Sequence, residues 1–210
     1  MILMSTFDER MRQGGGPAIQ EAAKFFMKSD PVHQSLREIT RRLKESGIDY
    51  AVAGGMALVA HGYDRTTVDV DILVTPQGLE EIHRSLEGLG YVPPFSGSKN
   101  LRDTNTGVRI EFIVTGQYPG DGRPKPVAFP DPTSAGTEID GIRYVNLPAL
   151  IELKLASGMT NPGRLRDLAD VQELIRVLHL PASFAEKLNP YVRQKFAELR
   201  SALDSDEDRV

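Results

Sequence analysis

Two aspartates, separated by a single valine, stand in a segment that otherwise has the pattern of a buried strand. In TVDVDILV, Asp69 and Asp71 share one face with Leu73, and valine or isoleucine occupies every position of the other face. Aspartate is depleted in strands, and two carboxylates on one face repel each other. A solvated surface and a functional site both fit the pair alone, so neighbouring residues must decide.

A third carboxylate, Glu111, belongs to a second strand pattern, GVRIEFIV, on the face opposite its large apolar residues. If the two strands are neighbours, Glu111 can join Asp69 and Asp71. Carboxylate oxygens suit Mg²⁺ and Mn²⁺, which proteins hold through a few acids together with substrate phosphates. The three acids therefore predict a divalent-cation site, provided that all of them lie on the same side of the sheet.

A glycine pair, Gly54 and Gly55, ends the apolar run IDYAVAGG and precedes a short helical segment. Without a Cβ, such residues let backbone N–H groups approach a phosphate closely, although a plain turn is the alternative. Arg65, Thr66 and Thr67 follow, beside the first carboxylate. All three suit phosphate contacts, and Arg65 could equally pair with an aspartate. The segment predicts a phosphate-binding corner beside the carboxylates.

Taken together, GGMALVAHGYDRTTVDVDI and RIEFI resemble the nucleotidyltransferase superfamily that includes DNA polymerase β. The likeness is greatest to its small bacterial branch related to the AbiEii-type toxins. It covers roughly residues 50–178 and includes LIELKLASGMTNPGRLRDLADVQELI, which resembles the family's helical segment. Two positions depart from the family pattern: Gly55 stands where many members have serine, and Glu111 is one methylene longer than the common aspartate.

The resemblance implies a set of site residues. The nucleotide-binding residues, expected to contact the triphosphate, are Gly54, Gly55, Arg65, Thr66 and Lys154. The catalytic residues, which would also be the ligands of Mg²⁺ or Mn²⁺, are Asp69, Asp71 and Glu111. Glu111 could also help to deprotonate the attacking hydroxyl.

The implied reaction moves a nucleoside monophosphate from an NTP to a hydroxyl acceptor and releases pyrophosphate. RNA, protein and small molecules are all compatible acceptors. Two alternatives stay open: a non-catalytic nucleotide-binding or toxin–antitoxin interaction module of the same fold, and a metal-dependent phosphohydrolase that uses the same carboxylates.

Hydrophobic periodicity and the resemblance together predict an α/β (α+β) protein, with a small mixed β-sheet flanked by helices and a helical C-terminal part. We expect a flexible start and N-terminal helix over residues 1–30, a nucleotidyltransferase-fold domain over 31–145, a helical part over 146–203 and a disordered tail over 204–210. Residues 116–136, rich in proline and glycine, predict a long functional loop. The last helix should be broken or kinked at Pro190.

Further charged residues have two interpretations each. Asp167 and Asp170 could bind metal, but we expect them to pair with Lys154, Arg164 or Arg166 and to fasten the helical part to the sheet. Five basic residues near the presumed cleft might together receive an RNA or nucleotide: Lys99, Arg102, Arg123, Lys125 and Arg143. Singly, each is more typical of a solvated surface charge.

The composition limits the classes of function. The 210 residues contain no cysteine, which excludes disulfides, zinc–thiolate sites and cysteine nucleophiles. The formal net charge of −4 gives no overall basic surface for nucleic acid, and no apolar run approaches a membrane span. We expect a cytoplasmic protein that binds no membrane. Its expected partners are an NTP and an acceptor, with an antitoxin or a second copy of the chain as further candidates.

Overall fold

The helices and strands are seen in a computed structural model, which describes Glu9, Arg12 and residues 15–207. The rest of the expected flexible start, and residues 208–210 of the expected tail, lie outside the described residues. Helices with described bounds are α1 (Gly15–Phe26), α2 (Pro31–Glu45), α3 (Gly54–Ala60), α4 (Pro76–Leu86), α5 (Leu147–Thr160), α6 (Leu165–Val177) and α7 (Pro190–Glu207). Strands are β1 (Tyr50–Val52), β2 (Asp69–Val74), β3 (Tyr91–Val92), β4 (Leu101–Asp103), β5 (Arg109–Val114), β6 (Gly136–Ile139) and β7 (Ile142–Val145).

The strands form one 7-stranded sheet in the order β3-β4-β5-β2-β1-β7-β6. Strand β2 pairs parallel with β5 and antiparallel with β1, while β1 pairs parallel with β7. The β4–β5 and β6–β7 pairs are antiparallel hairpins, as predicted around NTG and around Asp140 and Gly141. The expected mixed sheet flanked by helices is confirmed, and β2 lies near its centre.

Strand β2 changes character along its length. Val70, Ile72 and Val74 are fully buried on the apolar face, as their alternation predicts. On the other face Asp69 and Asp71 are partly exposed, whereas Leu73 is 0% exposed. The polar part of this face is therefore confined to the beginning of the strand, where a cleft opens.

Helix α2 begins where its sequence predicts. The side chain of Asp30 accepts hydrogen bonds from the backbone N–H groups of Val32 at 2.8 Å and His33 at 3.2 Å, and Pro31 opens the helix. Its apolar stripe is buried, and the helix contacts β2. The capped helix thereby supports the strand that carries the two aspartates.

The helical C-terminal part follows β7 directly. Asn146 caps α5 by accepting a hydrogen bond from the backbone N–H of Ala149 at 3.0 Å, and α5, α6 and α7 pack on one another. The break predicted at Pro190 is present, since a 3₁₀ helix over Ala182–Lys187 ends before α7 begins at Pro190. Proline disfavours helical conformation in the preceding residue, which explains the break.

Helix α7 extends to Glu207, so residues 204–207 of the expected disordered tail are helical. In the described part of the chain, no helix is long and apolar enough to cross a membrane. The division into domains stays a prediction.

Candidate active site

The three predicted carboxylates are brought together by the pairing of β2 with β5. In this parallel register Asp69 lies beside Arg109, and Asp71 lies beside Glu111. Cross-strand neighbours in a sheet point to the same face, so all three acids project from one side of two adjacent strands. The expected position of Glu111 next to the aspartates is thus what the structure has.

A cavity of about 690 Å³ opens over this face. Every residue predicted for the site lines it: Gly54, Gly55, Arg65, Thr66, Asp69, Asp71, Glu111 and Lys154. Of the five basic residues expected near the cleft, only Lys99 is among the lining residues. The other four do not line it.

The four basic residues outside the lining have protein partners or are exposed. Arg102 donates to the carbonyl oxygen of Gly107 at 2.5 Å, and Arg143 forms an ion pair with Asp49 at 3.6 Å. Lys125 donates to the carbonyl oxygen of Pro119 at 2.6 Å, and Arg123 is exposed. Their positions depend on the paths of loops and hairpins, which residue type alone does not determine.

The glycine pair is required by close packing against the acidic strand. Gly54 has φ +55°, and a Cβ there would lie 1.8 Å from Asp71 Oδ2. A Cβ on Gly55 would lie 2.6 Å from Thr67 Oγ1. The backbone N–H of Ala53 donates to the carbonyl oxygen of Asp71 at 2.9 Å. The beginning of α3 is therefore pressed against Asp71, which a plain surface turn would not require.

Two contacts of the carboxylates were not predicted from the sequence. Thr67, 6% exposed, donates from Oγ1 to Asp69 Oδ1 at 2.9 Å. Arg109 Nη2 lies 3.2 Å from Asp69 Oδ2 and 2.7 Å from Glu111 Oε1. Strand alternation already placed Arg109 on the face of Glu111, and that pattern was the available signal. The sequence placed Thr67 beside the first carboxylate, but as a phosphate contact.

The cluster of Asp69, Asp71 and Glu111 carries surplus negative charge around Asp71. Burial, reinforced by the neighbouring charges of Asp69 and Glu111, raises the pKa of Asp71 to about 7. The charges of Lys154 and Arg164 act in the opposite direction without cancelling the shift. Asp71 is therefore a carboxyl that a cation in the cleft would return to its ionised form.

A second group of acids lines the same cavity and is neutralised within the protein. Lys154 Nζ lies 2.9 Å from Asp167 Oδ1 and 2.7 Å from Asp170 Oδ2. Ser157 donates to Asp167 Oδ2 at 2.7 Å, and Arg65 Nη1 donates to both oxygens of Asp170 at 2.6 and 2.7 Å. The predicted pairing of these aspartates with Lys154 is confirmed.

The ion pairs of this second group join three parts of the chain. They connect α5 with α6, and through Arg65 they connect α6 with the segment between α3 and β2. Burial opposes ionisation of Asp167, but the charges of Lys154 and Arg164 and the hydrogen bond from Ser157 hold its pKa below the usual value. Within the described residues, Arg65 Nε has no hydrogen-bond partner.

As the side chains stand, no group of three or more His, Cys, Asp or Glu residues in the described part of the chain is set to hold a metal ion. The expected trio is adjacent but not preformed as a ligand set. A physical reason is visible, because both oxygens of Asp69 and one oxygen of Glu111 are already occupied by Thr67 and Arg109.

The long loop expected over residues 116–136 spans the described residues between β5 and β6. Its neck is closed by two backbone hydrogen bonds, from Gly116 to Phe129 and from Phe129 to Gln117, each 2.8 Å long. Beyond the neck, Tyr118 and Gly120 line the cavity together with Phe129. The loop thus forms part of the cleft wall.

The mixed sheet flanked by helices is that of the nucleotidyltransferase fold. The chain belongs to the family described as uncharacterised nucleotidyltransferase, whose model matches residues 19–200. A search of curated proteins gives no match. The superfamily predicted from the sequence is confirmed, and the AbiEii-type kinship stays a prediction.

Solved structures are similar to this chain at low sequence identity. ANT(2")-Ia, crystallised in complex with adenylyl-2"-tobramycin, is 14% identical with a TM-score of 0.50, over 83% of this chain and 97% of that one. A putative nucleotidyltransferase from Thermotoga maritima is 19% identical (TM-score 0.43; 68% of this chain, 91% of that one). A putative nucleotidyltransferase from H. pylori is 19% identical (TM-score 0.46; 83% and 79%).

Proposed function

We propose that this protein transfers a nucleoside monophosphate from an NTP to a hydroxyl-bearing acceptor, with the help of Mg²⁺ or Mn²⁺. The observation that carries the proposal is the in-register pairing of Asp71 with Glu111, which places three carboxylates on one face of the cleft. The packing of Gly54 against Asp71 adds support, because it brings backbone close to those acids. Family and fold favour the same reaction class.

Asp69, Asp71 and Glu111 are the residues proposed to hold the metal ions. Their chemistry fits a hard divalent cation, since all three donors are carboxylates, and burial together with the charges of Asp69 and Glu111 raises the pKa of Asp71 to about 7. When bound, such ions neutralise the triphosphate and stabilise the oxygens that enter and leave at phosphorus.

The phosphate side of the site is assigned to cationic and small residues of the same cavity. Lys154 and Arg65 line it while they are held by Asp167 and Asp170, so their charged groups are fixed in place before a nucleotide arrives. Arg65 Nε is buried and has no hydrogen-bond partner in the described structure. Gly54, Gly55 and Thr66 complete this side.

In the proposed reaction the acceptor oxygen attacks the α-phosphorus, and the bond from that phosphorus to the β-phosphate oxygen breaks. Pyrophosphate leaves, and the acceptor's proton passes to Glu111. The Glu111 side chain is 33% exposed, which suits contact with an incoming hydroxyl. RNA, protein and small-molecule hydroxyls all remain compatible with these residues.

The finer identity of the protein also belongs to this proposal. An AbiEii-type toxin would have an antitoxin as partner, and homo-oligomerisation and a cytoplasmic location are further expectations from the sequence. Incubating the purified protein with labelled NTPs and total cellular RNA and protein would reveal the acceptor class.

The decisive test compares Asp69→Asn with Asp140→Asn in that transfer assay. Asp140 lies in the β6–β7 turn with φ 51°, which asparagine tolerates, and it is not among the residues that line the cavity. We expect Asp69→Asn to abolish pyrophosphate release and Asp140→Asn to retain it. Full transfer by Asp69→Asn would overturn the proposal. Nucleotide binding without turnover in the unmodified protein would favour the non-catalytic module, and orthophosphate release without acceptor labelling would favour a phosphohydrolase.

A further inference from the structure

Arg109 is the basic side chain that contacts the metal-binding carboxylates assigned above. Its guanidinium lies between two of them, 3.2 Å from Asp69 Oδ2 and 2.7 Å from Glu111 Oε1. The strand register explains the contact, because Arg109 is the cross-strand neighbour of Asp69 and precedes Glu111 by two positions on the same face.

Arg109 contacts carboxylate oxygens that a cation would also use. Asp69 Oδ1 already accepts a hydrogen bond from Thr67, and Asp69 Oδ2 faces the guanidinium. A guanidinium and a divalent ion are both positively charged, so they repel each other when they share these oxygens. The side chains as they stand form no ready metal site in the described structure, which agrees with this occupation.

The same contact can be broken at little cost. The Arg109 side chain is 48% exposed, so it can rotate into solvent without opening the core. Ion pairs at this exposure are weak, whereas a divalent ion interacts with all three carboxylates at once. The guanidinium is therefore a removable counter-cation.

We infer that Arg109 neutralises the carboxylates in the metal-free protein and must leave Asp69 and Glu111 before a divalent ion binds, so that it sets the metal affinity. The inference rests on the metal-binding role in the proposed function. Arg109 acts on the carboxylates and not on substrate, which makes it a positioning residue.

Calorimetric titration of Mn²⁺ without nucleotide tests this competition. We expect Arg109→Gln to bind Mn²⁺ about 5- to 10-fold more tightly than the unmodified protein, since one positive charge has left a solvent-screened site. Arg109→Lys keeps the charge and should bind close to the unmodified value. Arg143→Gln is the matched control, because it removes an arginine ion-paired with Asp49 outside the cavity lining.

Thermal unfolding with and without Mn²⁺ provides a second readout. The loss of a merely structural arginine would lower the unfolding temperature under both conditions. Without metal, Arg109→Gln should unfold at a lower temperature than the unmodified protein, and saturating Mn²⁺ should close that gap. A gap that persists with Mn²⁺, or Mn²⁺ binding by Arg109→Gln that is equal to or weaker than normal, overturns the inference and leaves the proposed function intact.

Two other outcomes separate the proposals. Absence of Mn²⁺ binding in all four proteins, with and without NTP, overturns both the inference and the metal-dependent function. Tighter Mn²⁺ binding by Arg109→Gln combined with no pyrophosphate release from any NTP supports the inference and overturns the function alone.

Discussion

Two groups of acids line the same cavity, and the protein treats them differently. Asp167 and Asp170 are matched by Lys154 and Arg65, with hydrogen-bond distances of 2.6 to 2.9 Å. Among the described residues, the only ion-pair partner of the β2 and β5 carboxylates is the half-exposed Arg109, which contacts Asp69 and Glu111. The pKa of Asp167 is lowered, whereas that of Asp71 is raised to about 7.

The contrast separates two roles. Asp167 and Asp170 hold parts of the structure together, and the carboxylates of β2 and β5 are, as we propose, kept for a ligand. A buried carboxylate that the chain neutralises itself fixes neighbouring elements to one another. A carboxylate without an opposite charge beside it lowers the stability of the metal-free fold. Binding of a cation to that carboxylate raises the stability again. The four variants and conditions below change one side of this contrast at a time.

The largest expected effect is on turnover. Asp71→Asn should lower nucleotide transfer on the order of 1,000-fold, because a proposed metal ligand loses its charge. The same variant should be at least as stable as the unmodified protein without metal, since a repelled carboxylate becomes neutral. Transfer rate and chemical denaturation together check this, and an unstable but active variant would contradict it.

Next in size is the neutralised group. Lys154→Met should lower the free energy of unfolding by about 3 kcal/mol, because Asp167 and Asp170 lose a buried partner. Lys195→Met is the control, since Lys195 forms only an exposed pair with Glu198 and should cost less than about 1 kcal/mol. Urea denaturation measures both, and equal losses would show that the buried pairs do not fasten the helices.

A smaller effect is expected from the glycine beside Asp71. Gly54→Ala should cost about 2 kcal/mol more than Gly141→Ala. Both glycines have positive φ, +55° and +77°, but only at Gly54 would the new methyl group meet the Asp71 carboxylate; at Gly141 it would meet nothing within 4 Å. The difference between the two variants in urea isolates that contact. Similar losses would mean that the α3 backbone gives way easily.

The smallest effect is a dependence of stability on pH. Between pH 3.8 and about pH 7, Asp71 keeps its proton in the folded state but has lost it in the unfolded state. The folded state then binds more protons, so the free energy of unfolding falls as pH rises through this interval without metal. From about pH 4 to pH 8 in a metal chelator, we expect the unmodified protein to lose about 1–2 kcal/mol more than Asp71→Asn does.

Asp167 provides the opposite sign for comparison. Because its pKa is lowered, ionised Asp167 stabilises the fold at pH values above the ordinary pKa of aspartate. This contribution is lost as pH falls through the folded-state pKa. Parallel pH curves for the unmodified protein and Asp71→Asn would contradict the assignment of the surplus charge to Asp71.

The faces of the two acidic strands could be predicted because alternation is a local property of sequence. Period-2 patterns placed Asp69 and Asp71 together and put Glu111 on a polar face. Those strands are far apart in the sequence, since Arg109 and Asp69, which are in contact, are separated by 40 positions. The prediction that the two strands are neighbours came from the family resemblance. Local pattern alone leaves such registers open.

Side-chain partners were harder to predict than strand faces. The pairing of Lys154 with Asp167 and Asp170 followed from helical spacing, but the contact of Thr67 with Asp69 depends on how the preceding segment packs on Gly55. Which basic residues of the loops and hairpins line the cavity depends on packing of the same kind.

The hydrogen bond between Gln117 and Phe129 closes the loop at its base, so the loop can vary separately from the strands that carry the acids. Because the backbone leaves and rejoins the sheet side of the molecule at nearly one point, residues 118–128 can be exchanged or resized with little entropic penalty. Tyr118 and Gly120, which border the cleft, belong to that exchangeable piece, while the acids are set in central strands. Grafting the segment between family members should therefore alter which acceptor enters and leave the reacting core unchanged.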